Sequence, residues 1–181
     1  AKAKGSQENF KYIVYYITNT TETSKVMGMD AAFVHMVDRY YATKEAYWID
    51  EDQLLKITER AKLLKPITLG KVAPEMSLTD TFGRVQTLSK VQAKYTLICF
   101  WDPDCSHCKK EVPALYKTYQ EMVKKGINIK VYAVGTTAED DKWRKFIKEN
   151  KLNWINVIDL PGARARYDIY STPVLYLLDK D

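Results

Sequence analysis

Two of the three cysteines, Cys105 and Cys108, are separated by only two residues, which is the strongest chemical signal in the chain. They follow an apolar run that is predicted to be a strand, and they stand at the predicted start of a helix. The first backbone N–H groups of a helix lack partners within it and carry partial positive charge, so a thiolate there is stabilised and its pKa falls. The thiolate is the attacking species in disulfide exchange. We therefore expect Cys105 to attack a substrate and Cys108, one turn along, to resolve the mixed disulfide.

The histidine inside the pair, His107, would act on the same chemistry. An imidazolium beside the sulfurs favours the thiolate, stabilises the reduced pair and raises its reduction potential. The alternative interpretation of a Cys-x-x-Cys is half a zinc site, which needs two further ligands. The other histidine is His35, and the third cysteine, Cys99, lies within the predicted strand, where we expect a buried structural thiol. No metal site is therefore predicted, and Lys109 after the pair excludes the haem-attachment pattern.

The elements that must position the pair alternate between strand and helix from about Gly70 onward. The predicted strands cover residues 96–101, 129–134, 154–158 and 174–178, and the predicted helices cover 106–125 and 140–150. The strands at 96–101 and 174–178 are continuous apolar runs, which is typical of strands buried on both faces. This alternation predicts an α/β domain with a largely parallel sheet.

The first 66 residues are predicted to form helices only. Apolar residues recur at i, i+3, i+4 and i+7 and predict the buried face of the first helix: Phe10, Ile13, Val14 and Ile17. Phe33, Val37 and Tyr40 or Tyr41 repeat the pattern in a second helix. Asp50, followed three residues later by Gln53, is typical of a helix start, and Pro66 is expected to end that third helix.

Composition and charge exclude several classes of function. The chain has 181 residues, of which 46% are hydrophobic and 28% charged, as in ordinary globular proteins. The net charge of +5 is spread along the chain and interleaved with acidic residues, so nucleic-acid binding is not predicted. No apolar run approaches the roughly 18 to 20 residues that span a bilayer. No leader segment stands at the amino end, so we expect either a cytosolic protein or one whose leader lies outside this sequence.

A longer ordered set of motifs surrounds the cysteine pair. In sequence order these are Val72-Ala73-Pro74, Leu78-Thr79-Asp80, Gly83, Leu88-Ser89, Phe100-Trp101, Cys105–Cys108, Lys109-Lys110-Glu111-Val112-Pro113 and Thr172-Pro173. With these motifs the chain from about Gly70 resembles the thioredoxin-like proteins of the bacterial TlpA/ResA group. The combination of Cys-x-x-Cys, Lys-Lys-Glu-x-Pro and a distant Thr-Pro is much more specific than Cys-x-x-Cys alone.

The resemblance implies roles for individual residues. Pro173 would be a cis proline opposite the cysteines, exposing the backbone of Thr172 for pairing with an extended substrate peptide. Glu111 would be the acidic residue that tunes proton transfer to the cysteines. Trp101 would pack beneath the active-site loop. Thr172, Trp101 and His107 are the residues expected to contact a bound substrate. The catalytic set implied by the resemblance is thus Cys105, Cys108, Glu111 and Pro173.

The resemblance also implies an architecture. We expect a thioredoxin-like domain over residues 67–181, with a central mixed sheet flanked by helices, preceded by a small all-helical domain over residues 1–66. In thioredoxin itself a buried aspartate stands six residues before the first active-site cysteine, where this chain has Cys99, which leaves Glu111 or His107 for acid–base work. The final strand and helix of the fold are expected to be missing after Asp181, which would leave residues 174–178 as a bare edge that a longer native chain or a partner completes.

The function expected from the resemblance is thiol–disulfide oxidoreduction. Its partners would be proteins with thiols or disulfides and a membrane-bound or soluble thiol reductant or oxidant. No dissociable cofactor is expected, because the redox centre is the dithiol itself. The helical region less specifically resembles segments that precede thioredoxin domains in bacterial secreted or lipid-anchored proteins, so a periplasmic or other extracytoplasmic location is expected.

Two alternatives stay open. One is a non-enzymatic binding module that acts through the helical region. The other is a peroxidase, because Ala73-Pro74 and Gly83 also resemble peroxiredoxins. Those proteins place a proline and a threonine or serine before the attacking cysteine, where this chain has Ile98 and Asp102.

Overall fold

The computed structural model describes residues 6–159 and 162–180. The chain divides into two units, one ending at Pro74 and the other beginning at Glu75. The domain limits expected from the sequence, 1–66 and 67–181, stay a prediction.

The first unit is built from helices, as the apolar spacing predicts. Its elements are α1 (Gln7–Glu22), α2 (Met29–Met36) continuing into a turn of π-helix (Val37–Tyr41), α3 (Glu51–Leu64) and a 3₁₀ turn (Lys65–Ile67). The predicted start of α3 is confirmed, because the side chain of Asp50 accepts a hydrogen bond from Gln53 N at 2.8 Å. The helix ends two residues before Pro66 as expected, and the proline lies within the 3₁₀ turn.

The buried face of α1 differs from the prediction. Val14 is buried, but Ile13 and Ile17 are exposed, and Thr18 and Thr21 are buried instead. The hydroxyl of Thr18 donates to the Val14 carbonyl at 2.7 Å, and that of Thr21 to the Ile17 carbonyl at 2.8 Å. A threonine whose hydroxyl bonds to the carbonyl one turn back can enter a core without leaving a polar group unpaired. Apolar spacing therefore predicts two of the core residues, Phe10 and Val14, and not the two threonines.

The second unit contains a mixed sheet of six strands. In chain order the strands are β1 (Ser77–Asp80), β2 (Val85–Thr87), β3 (Tyr95–Trp101), β4 (Ile129–Gly135), β5 (Ile155–Ile158) and β6 (Val174–Leu178), and they lie in the order β2-β1-β5-β4-β3-β6. The central strands β3, β4 and β5 are parallel, and the other pairings are antiparallel. The helices are α4 (Ser106–Lys124), α5 (Asp140–Glu149) and α6 (Ala163–Arg166). The α/β class is the one expected from the sequence, and the mixed sheet is the one implied by the resemblance. The largely parallel sheet expected from the alternation of strands and helices is wrong, because two of the five strand pairings in the described residues are parallel and three are antiparallel.

The hairpin of β1 and β2 was not predicted as a pair of strands. It is organised by Asp80, a buried carboxylate that accepts bonds from Phe82 N, Arg84 N, Arg84 Nε and Gln86 Nε2 at 2.8–3.0 Å. These donors hold the pKa of Asp80 at about 2 although burial, the largest single influence, acts to raise it. Gly83, with φ of 78°, completes the turn in a conformation that glycine adopts without strain.

The expectation that residues 174–178 form a buried strand is wrong in part. β6 is the edge strand next to β3, and Leu175 and Leu177 are 49% and 66% exposed. Val174, Tyr176 and Leu178 point to the other face and are partly buried. A run of apolar residues does not reveal that only one of its two faces is covered, because both faces have the same composition.

A cluster of buried side chains lies between β3, β4 and the helices α4 and α5. Its members are Cys99, Trp101, Cys108, Val112, Val131, Ala133, Trp143, Leu152, Trp154 and Ile158. The indole of Trp143 lies so close to Gly135 that a Cβ at this glycine would be 2.5 Å from Trp143 Nε1. The first turn of α4 packs against this cluster through Cys108.

Candidate active site

The loop between β3 and α4 determines where the first cysteine lies. Asp102 accepts two bonds from the loop, one from Asp104 N to Oδ1 at 2.8 Å and one from Cys105 N to the carbonyl at 3.2 Å. Cys105 is the N-cap of α4, and its Sγ accepts a bond from Cys108 N at 3.4 Å. The sulfur therefore occupies the position of a helix-capping oxygen, next to the unpaired N–H groups of the first turn. The predicted placement of Cys105 at the positive end of a helix is confirmed.

A second segment reaches the same sulfur from the beginning of β6. The Cys105 thiol donates to the Thr172 carbonyl, with 3.2 Å between Sγ and the oxygen. The Thr172–Pro173 peptide bond is cis, as the resemblance implies. Two residues 67 positions apart are thus brought together.

The two active-site thiols differ in ionisation. The side chain of Thr172 is the largest influence on Cys105 and lowers its pKa. Burial opposes it, and the backbone N–H groups of Cys108 and His107 lower the pKa further. The Thr172 carbonyl accepts from the protonated thiol, and the pKa of Cys105 nevertheless lies below its ordinary value. Burial raises the pKa of Cys108 to about 11. All three cysteines are free thiols in this structure.

The third cysteine is buried within the sheet, as expected. Cys99 is in the centre of β3, paired with Ala133 of β4 and Leu175 of β6, and it is fully buried. Burial, with a smaller contribution from Cys108, raises its pKa to about 12. Cys99 therefore stays protonated at neutral pH and does not accept a proton as a buried carboxylate could.

The remaining predicted site residues are spread around the pair. His107 and Glu111 are exposed on α4, and Thr172 and Pro173 are partly buried. Trp101 is fully buried and packs against Phe146, with 5.0 Å between ring centroids. Trp101 thus lies in the core beneath the loop and has no surface with which to touch a substrate in this conformation.

One charged contact at the active-site loop was not predicted. Lys142, on the first turn of α5, bonds to Asp104 Oδ2 at 2.9 Å and to Glu139 Oε2 at 3.0 Å. The spacing of Glu139 and Lys142 is typical of a helical ion pair. Nothing in the sequence indicates that this helix also reaches the residue before Cys105.

The described residues contain neither a cluster of metal ligands nor a helix that could span a membrane. Over residues 6–159 and 162–180, no three His, Cys, Asp or Glu side chains are grouped so that they could hold a metal ion. Within the same ranges, no helix combines the length and the apolar character needed to cross a bilayer.

Comparison with known proteins establishes the family. A family model described as the AhpC/TSA family matches residues 69–181, more than half of the chain. The chain belongs to the AhpC/TSA family. Among its relatives are the thioredoxin-like protein YneN of Bacillus subtilis, 30% identical over 111 residues, and the thiol-disulfide oxidoreductase ResA of Bacillus thuringiensis, 30% identical over 114 residues. These alignments cover 61% and 62% of this chain, and 65% of each relative, which is less than two thirds of their length.

Solved structures extend the comparison. A domain of a possible thiol-disulfide isomerase from Cytophaga hutchinsonii is 44% identical, with a TM-score of 0.58 over 64% of this chain and 80% of that one. A thioredoxin-like protein from Bacteroides caccae matches 98% of this chain and 70% of its own length with a TM-score of 0.75, at 22% identity. The second likeness concerns the fold alone. The expected thioredoxin-like fold is confirmed.

Proposed function

We propose that this protein is a thiol–disulfide oxidoreductase that exchanges disulfides with other proteins through Cys105 and Cys108. The observation that carries the proposal is the difference between the two thiols. One is partly exposed at a helix N-terminus with a lowered pKa, and the other is buried behind it with a raised pKa. A pair of this kind has one sulfur that meets the substrate and another that acts only after the first has reacted.

The reaction consists of two exchanges. The Cys105 thiolate attacks one sulfur of a substrate disulfide, so that the substrate S–S bond breaks, a mixed disulfide forms and the leaving thiolate takes a proton from solvent. Cys108 then loses its proton and attacks the Cys105 sulfur, which releases the second substrate thiolate. The substrate gains two electrons and two protons, and the protein holds a Cys105–Cys108 disulfide. The same steps in reverse oxidise a substrate dithiol.

Neighbouring residues have supporting roles in the proposal. Thr172, whose carbonyl contacts Cys105 Sγ at 3.2 Å, presents its backbone to an extended substrate peptide beside Pro173. His107 contributes its backbone N–H to the Cys105 thiolate, and its exposed ring adds positive charge when protonated. Glu111, exposed one turn beyond Cys108, exchanges protons between the pair and solvent.

The proposal includes partners and location. Protein thiols and disulfides are the substrates, and a second thiol protein or a membrane thiol oxidoreductase resets the pair. The redox centre is the dithiol, with no dissociable cofactor. The resemblance to the TlpA/ResA group supports a location outside the cytoplasm. Fractionation of the source cells with an antibody to this chain tests it, and recovery of the protein only with cytoplasmic markers would contradict it.

A redox titration tests the proposed activity. The wild type is equilibrated with graded mixtures of reduced and oxidised dithiothreitol, quenched in acid and analysed by mass for a loss of two hydrogens. We expect one reversible two-electron transition, absent in Cys105→Ser and in Cys108→Ser, and reduction of insulin disulfides by the wild type alone. A wild type that stays a dithiol under all conditions would refute the proposal.

The two alternatives are separated by further measurements. If the helical unit acts as a binding module, the variant with both cysteines replaced by serine keeps the function. If the protein is a peroxidase, it consumes peroxide at a rate far above that of free thiols, and the Cys105→Ser variant does not. We expect neither result.

A further inference from the structure

The contact between α5 and the active-site loop connects a lysine to the residue beside the attacking cysteine. Lys142 Nζ lies 2.9 Å from Asp104 Oδ2, and Asp104 directly precedes Cys105. Asp104 carries its carboxylate on the residue that adjoins the cysteine that must ionise. A carboxylate beside a thiol opposes ionisation and raises the thiol pKa.

We propose that Lys142 is a positioning residue for disulfide exchange, which holds the Asp104 carboxylate and offsets its charge so that the Cys105 thiolate stays favoured. The inference rests on the proposed function, since it concerns the reactivity of the same sulfur. Lys142 does not touch the reacting atoms. It acts through Asp104.

The surroundings of Cys105 explain why this contact matters. The loop, the first turns of α4 and α5 and the segment before β6 carry the charged or titratable groups on the elements around the sulfur: Asp102 and Asp104 of the loop, His107, Cys108, Lys109, Lys110 and Glu111 of α4, Glu139, Asp140, Asp141 and Lys142 at the start of α5, and Asp168 and Tyr170 before β6. Of the two loop carboxylates, Asp102 accepts a backbone bond from Asp104 N and Asp104 is bonded by Lys142. Loss of Lys142 would remove the cation that bonds Asp104, on the residue that precedes the nucleophile.

The size of the effect follows from the charges. Both members of the pair are about half exposed, with side-chain exposures of 49% and 52%, so the stabilising effect of the ion pair on the fold is small. In surroundings close to water in dielectric constant, an uncompensated unit charge at a distance on the order of 7 Å changes the ratio of thiolate to thiol about threefold. Such a change is invisible in folding experiments and measurable in reactivity.

The test compares four single variants of the full chain, and the double variant Lys142→Met/Asp104→Asn, with the wild type. Lys142→Met removes the charge and keeps the length, and Lys142→Arg keeps the charge. Asp104→Asn removes the carboxylate. Lys145→Met is the matched control, because Lys145 lies on the same helix and pairs only distantly with Glu149, at 3.9 Å. The readouts are the pH profile of Cys105 alkylation and the reduction potential of the pair.

We expect Lys142→Met to reduce the Cys105 thiolate about threefold at a pH below its pKa. At a pH above it, where the reduced pair carries the thiolate, the potential should fall by about 14 mV, which is the same factor at 29.6 mV per decade. Lys142→Arg and Lys145→Met are expected to match the wild type. In the Asp104→Asn background the effect of Lys142→Met is expected to shrink, as it does in 1 M salt.

Two outcomes would overturn the inference. One is equal profiles for Lys142→Met and Lys145→Met, and the other is an unchanged effect of Lys142→Met when Asp104 is already asparagine. Either result, with a wild type that cycles normally, removes the role of Lys142 and leaves the oxidoreductase proposal intact. A wild type without a reversible disulfide would instead remove the proposed function itself.

Discussion

Limited alkylation of the reduced protein at pH 7 should modify Cys105 almost exclusively. The pKa of Cys108 is raised to about 11, so about one molecule in 10,000 carries this thiolate at pH 7. The pKa of Cys105 is lowered from its ordinary value of 9.0, so more than about one in 100 carries the other. Ionisation alone therefore favours Cys105 by at least about 100-fold. The burial of Cys108 adds to this ratio.

The assay is a time course with substoichiometric iodoacetamide, followed by denaturation, a second isotopically distinct label and peptide mapping of all three cysteines. Cys99, with a pKa raised to about 12, should take only the second label. In guanidinium chloride the three thiols should react at similar rates, which shows that the selectivity comes from the fold. Alkylation of Cys108 within tenfold of the rate at Cys105 in the native protein would refute the reasoning.

The direction of the pH dependence follows from the same pKa shifts. A thiol reacts through its thiolate, so the rate at Cys105 should rise with pH up to its lowered pKa and level off above it. The rate at Cys108 should still be rising at pH 9. A common profile for both sulfurs would mean that the helix terminus and Thr172 do not distinguish them.

Three further results are expected. Gly135→Ala should destabilise the protein by about 1–3 kcal/mol in urea unfolding, because its Cβ would lie 2.5 Å from Trp143 Nε1; unchanged stability would contradict the close packing. Asp80→Asn should cost about 2–4 kcal/mol in the same assay, because charge-assisted bonds are lost. Since the folded pKa of Asp80 is depressed to about 2, its contribution should be complete above the unfolded value of 3.8 and lost as pH falls towards 2. His107→Pro should lower the reduction potential, and an equal or higher potential in the variant would reject the role of His107.

The centre of the site could be predicted from local sequence because its physics is local. Cys105 follows an apolar strand and precedes residues with helical spacing. Its position at an N-cap therefore depends only on neighbouring residues. The contact with Thr172 required more, since it joins residues 67 positions apart, and only the resemblance indicated it. The contact of Lys142 with Asp104 was not predicted, because it joins residues 38 positions apart on a loop and on α5 and no periodic pattern indicates it.

The errors in the fold have a common origin. Ile13 and Ile17 of α1 were expected to be buried but are exposed, and so are Leu175 and Leu177 of β6. Apolar composition indicates which residues could be buried, whereas neighbouring elements decide which are. The β1–β2 hairpin was missed for the opposite reason. Its strands are short and polar, and Asp80 organises them through four hydrogen bonds that no periodicity reveals.

The depth of Cys108 has a practical consequence for anyone searching for physiological partners. A sulfur with 0% of its residue surface exposed cannot meet a foreign disulfide, so it can only finish a reaction that its neighbour began. Bait for covalent capture must therefore lack Cys108 and keep Cys105, so that the intermediate has no way to resolve. A bait that lacks Cys105 and keeps Cys108 should capture no partner from the same extract.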